Sequence, residues 1–308
     1  MLKRAILIAS VVTASVVPSL AGTNITFGSP PIAEVEAVFV AKELGVFDKK
    51  GLNVEVLPST SNQAMVAGLV SGSHQIAAIS PTVLLQAIDT GMDLVVVGTC
   101  GVTSARTAKN MGLAVRGGVD ISKPEDLLGK KIGAPGTNGT IDVLFKQWLK
   151  LKNIPDTKLT FIEVPIPNTA DVLKGGTIDA IIAGEPSLGR AVSQSNGKVA
   201  FHYMSELPEN LPYTTFATTR EWARSNPDAI KAFQAGLAEG AAFVKANPDK
   251  TREILSKYTK LPVEVLNKFE LPECETVPTK QGLDFFDKAM REEGLLTGNI
   301  DTAGLIVP

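Results

Sequence analysis

One stretch of this chain occurs twice, and the recurrence restricts the fold more than any other feature. Residues 41–81 read AKELGVFDKKGLNVEVLPSTSNQAMVAGLVSGSHQIAAISP, a helix, strand, helix and strand separated by small polar turns. Residues 159–192 (LTFIEVPIPNTADVLKGGTIDAIIAGEPSLGRAV) have the same order of parts in shorter form. Gly72 matches Gly176, the run Ile76-Ala77-Ala78-Ile79 matches residues 178–181, and Pro81 matches Pro186. Two similar α/β units imply two halves with a cleft between them.

The flanking pattern extends each unit. Strands are predicted at residues 25–27, 53–57, 75–79 and 94–98, separated by helices near 33–44, 62–70 and 82–88; a second series of strands falls at 111–116, 131–134, 158–164 and 178–183, with a long helix at 141–151. From Thr219 onward the pattern is nearly all helical. Asn226-Pro227 and Asn247-Pro248 place a proline at the first helical position behind a capping asparagine. The apolar stripe Ile230, Phe233, Leu237, Ala241 and Val244 has to cover a sheet, and these helices are assigned to the first lobe, reached by a second crossing near residues 204–214. The expected fold is α/β with two lobes, each a mostly parallel sheet flanked by helices, joined by two hinge strands. Residues 22–108 and 215–308 form one lobe and 109–214 the other.

The first 21 residues have the form of a secretory signal: Lys3 and Arg4, an apolar run, then Ser19-Leu20-Ala21 as a small-x-small cleavage site. A membrane anchor fits less well, because Ser10, Thr13 and Ser15 interrupt the run and Pro18 ends it. Without Lys3 and Arg4 the 30 basic residues become 28 against 32 acidic ones, a net charge of −4. Mild acidity argues against nucleic acid, which calls for a basic stripe. After export, Cys100 and Cys274 meet an oxidising compartment, so a disulfide is permitted; two separately buried thiols fit the sequence equally.

Ligands of parallel α/β sheets sit outside the carboxyl ends of the strands, where loops enter helix N-termini. Five such loops here are small and polar: Gly28-Ser29-Pro30-Pro31, Ser59-Thr60-Ser61-Asn62, Ser80-Pro81-Thr82, Gly136-Thr137-Asn138-Gly139-Thr140 and Gly184-Glu185-Pro186-Ser187. Free N–H groups and positive helix ends converging on one cleft favour an anion. Each loop alone is explained by helix capping, but capping does not require matching polar loops on two lobes. A helix end contributes about 0.3 to 1 kcal/mol when exposed, whereas micromolar binding needs about 8 kcal/mol, so side chains supply most of the rest. Thr137, Asn138, Thr140, Ser59, Ser61 and Thr214 are the main candidates, beside Ser29, Asn62, Ser80, Thr82 and the backbone of Gly139. Glu185 either accepts from a donor on the ligand or bonds its own helix N-terminus. Arg106 or Arg190 either supplies a basic contact or is solvated.

Catalytic patterns are lacking. Only His74 and His202 are available as histidines, and no nucleophile elbow, zinc-protease helix or P-loop occurs. No cofactor is expected.

The segments AKELGVFDKKGLNVEV, SGSHQIAAISP, DLLGKKIGAPGTNGT, LKGGTIDAIIAGEP and FATTREWARSNPDAIKAF together resemble a known family. It is that of periplasmic solute-binding proteins of ABC importers for nitrate, sulfonates and taurine, related to binders of thiamine pyrimidine precursors. The resemblance implies the type II periplasmic-binding-protein fold, closing on a ligand and delivering it to a membrane permease and, indirectly, its ATPase. It places the ligand on residues 59–62, Ser80, Thr82, residues 137–140 and Glu185. Two features depart from the family: Ser59-Thr60-Ser61 stands where many relatives carry a glycine-containing pair, and the cysteine-rich motif of the enzymatic branch is missing. The expected function is therefore a periplasmic, monomeric binding component for a small polar anion, not an enzyme. The alternative is a ligand-sensing module for a receptor or kinase.

Overall fold

The computed structural model describes residues 22–59 and 61–308. The signal segment read at residues 1–21 lies outside them, as does Thr60. Four strands, β1 (Thr23–Ser29), β2 (Leu52–Pro58), β3 (Ile76–Ile79) and β4 (Leu94–Val102), are linked by α1 (Glu36–Glu43), α2 (Val46–Lys49), α3 (Asn62–Ser71) and α4 (Pro81–Asp89). The chain then crosses to β5 (Met111–Val115), β6 (Lys131–Ala134), α5 (Thr140–Leu151), β7 (Thr160–Glu163), α6 (Thr169–Lys174), β8 (Ala180–Gly184), α7 (Ser187–Gln194) and β9 (Lys198–Phe201). It returns in β10 (Pro212–Thr219) and ends in α8 (Arg220–Ser225), α9 (Pro227–Ala246), α10 (Pro248–Thr259), α11 (Val263–Leu266) and α12 (Lys280–Glu292).

The strands form two five-stranded sheets, ordered β2-β1-β3-β10-β4 and β7-β6-β8-β5-β9. Position by position the two orders are one pattern, and the recurring segments fall on its matching parts: β2 with β7, α3 with α6, β3 with β8. Gly72 and Gly176 both follow their helix with a left-handed φ, 77° and 75°, a conformation that glycine adopts without a Cβ penalty. The fold is α/β and two-lobed.

"Mostly parallel" needs qualification. Four strands of each sheet run one way, but β10 is antiparallel to both β3 and β4, and β5 to both β8 and β9. Half of the pairings in each sheet are therefore antiparallel. The cause is the crossing itself. A strand entered from the other lobe begins at the cleft and must run away from it, whereas its neighbours run toward it. The second crossing, expected near residues 204–214, runs into a full strand of the first sheet, β10, which Pro212 opens and which carries four threonines in place of the usual aliphatic run. Edge strand β9 was missed because it is short and only partly buried.

Prolines 227 and 248 open helices as expected, but Asn226 and Asn247 do not cap them with their side chains. Each amide instead donates back to the preceding helix, Asn226 Nδ2 to Trp222 O (2.9 Å) and Asn247 Nδ2 to Phe243 O (3.2 Å). Each of these carbonyls also accepts from the backbone N–H of the same asparagine (2.9 and 2.8 Å), so the side chains reinforce the end of one helix rather than cap the start of the next. True side-chain N-caps are Ser61, Thr219 and Thr279.

One apolar core fills the first lobe between the sheet and α1, α9 and α10, with Phe27, Phe39, Phe47, Phe216, Phe233 and Leu237 at its centre. A second is continuous through both lobes, joining Leu84 of α4, Trp148 of α5 and Phe286 of α12. So α12 is not confined to the first lobe: it lies against α4 and also against α5. Cys100 and Cys274 form a disulfide, which settles the pairing left open by the sequence. It fixes a late segment beside β4, where Val102 N donates to Glu273 O (2.8 Å) and Thr99 N to Thr276 O (3.2 Å).

Helices α1 and α9 approach so closely that a Cβ on Gly240 would lie 2.1 Å from the Ala37 carbonyl oxygen. Replacing Gly240 with alanine gains helix propensity of about 1 kcal/mol but forces the helices apart. We expect Gly240→Ala to lose about 1 to 3 kcal/mol net, read as a lower urea midpoint with an unchanged m-value.

Candidate ligand-binding cleft

The end of β4 at Val102 and the start of β5 at Met111 are separated only by the first crossing, and Met111 pairs with Gly184 at the end of β8. The carboxyl ends of the parallel strands of both sheets therefore face each other. On these ends sit the polar loops identified from sequence, and most of their described polar side chains have a partner within the protein.

In the first lobe Ser29 is buried, and its hydroxyl donates to Pro30 O (3.0 Å). Ser59 N continues the ladder to Ser29 O (2.8 Å), and its hydroxyl is spent locally on Ser61. Ser61 caps α3 by accepting from Ala64 N (3.2 Å). Asn62 ties two loops together, its Oδ1 accepting from Ser80 N (3.0 Å). The hydroxyls of Ser80 and Thr82 lie 3.4 Å apart, and that of Thr82 is again 3.4 Å from the hydroxyl of Thr140 at the start of α5. Thr82 belongs to the first lobe and Thr140 to the second. A chain of three hydroxyls thus spans the cleft between the N-termini of α4 and α5, and both threonines are buried. Thr214, also buried, stands on β10 opposite Cys100.

In the second lobe Thr137 donates to Glu163 Oε2 (3.2 Å). Asn138 takes a left-handed φ of 64°, which asparagine tolerates, and its N–H is engaged by Asp142 Oδ2 (2.8 Å). Gly139 is the N-cap of α5, without a side chain to cap it. Glu185 bonds the start of its own helix, with Oε2 accepting from Gly189 N (3.1 Å). The Glu185–Pro186 peptide is cis. The residue facing Thr82 across the cleft is accordingly Thr140. Of the two arginines considered, Arg106 is paired with Glu273 (2.7 Å) and Glu270 (3.2 Å), and Arg190 is exposed.

An ionic group that sequence reasoning missed supports the second-lobe loop. Lys146 of α5 lies 3.0 Å from Asp142 on its own helix and 3.0 Å from Glu293, just past α12. Its neighbour Lys150 pairs with Glu292 (2.7 Å). Burial alone would lower the Lys146 pKa, but the charge of Asp142 and bonds from both carboxylates outweigh it and hold the pKa above its ordinary value. Burial raises Glu293 despite Lys146, with Asp142 and Asp156 adding repulsion. Asp142 Oδ1 and Glu293 Oε1 are buried without partners. The i, i+4 spacing of Asp142 and Lys146 was the only local signal; Glu293 comes from far along the chain. A recess of about 700 Å³ opens beside this group, lined by Asn138, Lys146, Lys150, Asn153, Asp156 and Glu293 among others. It does not include the hydroxyl chain.

His74 is not a ligand-facing group. Its ring packs on two glycines, since a Cβ on Gly68 or Gly28 would fall 2.3 or 2.8 Å from His74 Cδ2. Among the described residues no group of three His, Cys, Asp or Glu is placed to hold a metal ion.

Two like lobes that present polar helix N-termini to each other across a cleft define a two-lobed solute-binding architecture. Within that class the chain belongs to the NMT1/THI5-like family, whose model matches residues 33–251. The nitrate/nitrite binding protein NrtA of a Nostoc species is 26% identical over 247 residues, covering 74% of this chain and 55% of the relative. The bicarbonate-binding protein CmpA of Synechococcus elongatus is 28% identical over 279 residues, covering 82% of this chain and 62% of the relative. This chain thus spans little more than half the length of these two relatives. The periplasmic aliphatic sulphonate binding protein SsuA of Escherichia coli superposes with a TM-score of 0.77 at 18% identity, covering 92% of this chain and 97% of that one. The periplasmic nitrate-binding protein NrtA of Synechocystis superposes at 0.73 and 20% identity, covering 92% and 84%. Among the described residues no helix is long and apolar enough to cross a membrane.

Replacing Lys146 by methionine leaves two buried carboxylates without their counter-charge. We expect a loss of about 3 kcal/mol at neutral pH. The folded-state pKa of Glu293, already raised by burial, then rises further above the unfolded one, so stability is retained in acid and lost as pH rises through that folded value. Urea melts at about pH 4.5 and pH 7 should show the larger deficit at pH 7.

Proposed function

We propose that the chain is the exported solute-binding component of an ABC importer, capturing a small polar anion such as a sulfonate, taurine or nitrate between its lobes and delivering it to a permease. The observation that carries this reading is the hydroxyl chain Ser80–Thr82–Thr140, strung between the N-termini of two helices from different sheets. Hydroxyls orient toward an anion without bringing a charge that has to be neutralised, and the adjacent helix ends favour negative charge. Relatives named for binding nitrate and bicarbonate support the class of solute. A relative named as a bicarbonate transport ATP-binding protein supports the partner class.

In this reading residues 1–21 direct export and are removed near Ala21, and the mature protein acts as a periplasmic monomer. Residues 22–108 with 215–308, and 109–214, move as two bodies about the crossings. The ligand contacts are drawn from Ser29, Ser59, Ser61, Asn62, Ser80, Thr82, Thr137, Asn138, Gly139, Thr140 and Thr214. Glu185 acts by shaping the start of α7.

Native mass spectrometry of freshly purified protein, followed by calorimetric titration with nitrate, bicarbonate, alkanesulfonates and small carboxylates, tests the proposal. We expect at least one to bind with micromolar affinity, and Thr140→Ala to weaken it about tenfold, as for loss of one hydrogen bond to a charged group. Small-angle scattering should show a smaller radius of gyration at saturation. No binding by any of them and no co-purified solute would refute capture, and an unchanged radius at saturation would refute closure.

A further inference from the structure

The cleft face of the first lobe carries a carboxylate for which simple anion capture has no use. After β1 the chain runs through Pro30, Pro31 and Ile32 into a 3₁₀ turn at Ala33–Val35. There Glu34 rests on the last turn of β4: a Cβ on Gly101 would lie 2.7 Å from Glu34 Cβ and 2.8 Å from its Cγ, and Gly101 has a left-handed φ of 63°. Because β3 and β10 lie between β1 and β4, the segment that delivers Glu34 passes over the cleft ends of both strands. Pairing of Cys100 with Thr214 and of Val102 with Pro212 sets Gly101 opposite Tyr213. Glu34 and Tyr213 therefore meet at one point, between the last residues before the first crossing and the first after the second.

No resident cation serves this carboxylate. Among the described residues Glu34 forms no salt bridge, Arg106 is taken by Glu273 and Glu270, and Arg252 donates to the carbonyls of Leu266 and Phe269. Behind it Glu36 is wholly buried with neither oxygen bonded. Burial first, and then the charge of Glu34, push Glu36 well above the ordinary carboxyl range. Burial also raises Glu34 itself, and burial together with the charge of Glu34 raises the Tyr213 phenol. Yet Glu34 keeps part of its surface open. A desolvated carboxylate without a counter-charge is costly, and a partner that supplies one recovers that cost.

We propose that Glu34, seated on Gly101 beside Tyr213, is a specificity-determining residue that receives a protonated nitrogen of the ligand. The inference rests on the reading of the cleft as the capture site and narrows its solute. The ligand carries an ammonium or amidinium group as well as the polar head that the helix N-termini accept. A bare oxyanion leaves Glu34 unpaired.

Matched pairs of probes test this on the mature protein by calorimetry: 3-aminopropanesulfonate against propanesulfonate, 3-aminopropanoate against propanoate, and nitrate as a bare anion. The aminated member of a pair should bind about 10- to 100-fold more tightly, as for a hydrogen bond between charged groups. Glu34→Gln should reduce that preference to within about threefold while leaving the affinity for propanesulfonate unchanged or improved. Glu34→Asp should keep part of the preference, and thermal melts confirm that both variants are folded. Equal or tighter binding of the unaminated probes by the natural protein, or an undiminished preference in a folded Glu34→Gln variant, overturns the role of Glu34 and leaves capture intact. Failure of every probe to bind overturns both.

Discussion

The chain passes between its lobes twice, and each passage must leave one sheet and enter the other at the same end. This constraint fixes most of the architecture. It turns β5 and β10 against their neighbours, brings the carboxyl ends of the remaining strands face to face, and lines the gap with helix N-termini. The polar loops need not be individually remarkable in composition to form a site. They are the places where a parallel α/β sheet exposes unpaired N–H groups, and the double crossing sets two such collections opposite each other.

Two chemistries meet in that gap and were not equally visible in the sequence. The hydroxyls were legible: Ser80, Thr82 and Thr140 each stand at a strand-to-helix turn, where residue type and position announce themselves. What could not be read was which hydroxyl faces which, because Thr82 and Thr140 come together through the closure of two sheets. Glu185 shows the same limit from the other side. Its place before Pro186 suited a ligand contact as well as a helix contact, and the bond to Gly189 N became visible only with the backbone geometry. The carboxylates were hidden more deeply. Glu34 falls within the helix predicted near residues 33–44 and Glu293 within the helical tail, and the surroundings of both are built from residues remote in sequence.

The fold itself was legible to the extent that its elements are local. The module at residues 41–81 and its counterpart gave matching strands and helices because periodicity and turn residues act over a few positions. The strand at Pro212–Thr219 escaped because its partners, Ile79 and Thr99 for Thr215, lie more than a hundred residues earlier. Its threonines also make it look polar, although six of its eight residues are buried. Asn226 and Asn247 were placed correctly and given the wrong hydrogen bonds, since a single residue between two helices can serve either end.

The placement of β10 has a consequence for how the molecule is made. All five strands of the second sheet lie between Met111 and Phe201, so that sheet can assemble as soon as this stretch has emerged from the ribosome. The first sheet cannot. Its strands β3 and β4 are not neighbours until β10 is inserted between them, and the helix α9 that covers Phe27 and Phe47 comes later still. The amino-terminal lobe, synthesised first, is therefore the last to be completed, and its half-sheet has to wait with open edges for the carboxyl-terminal third of the chain.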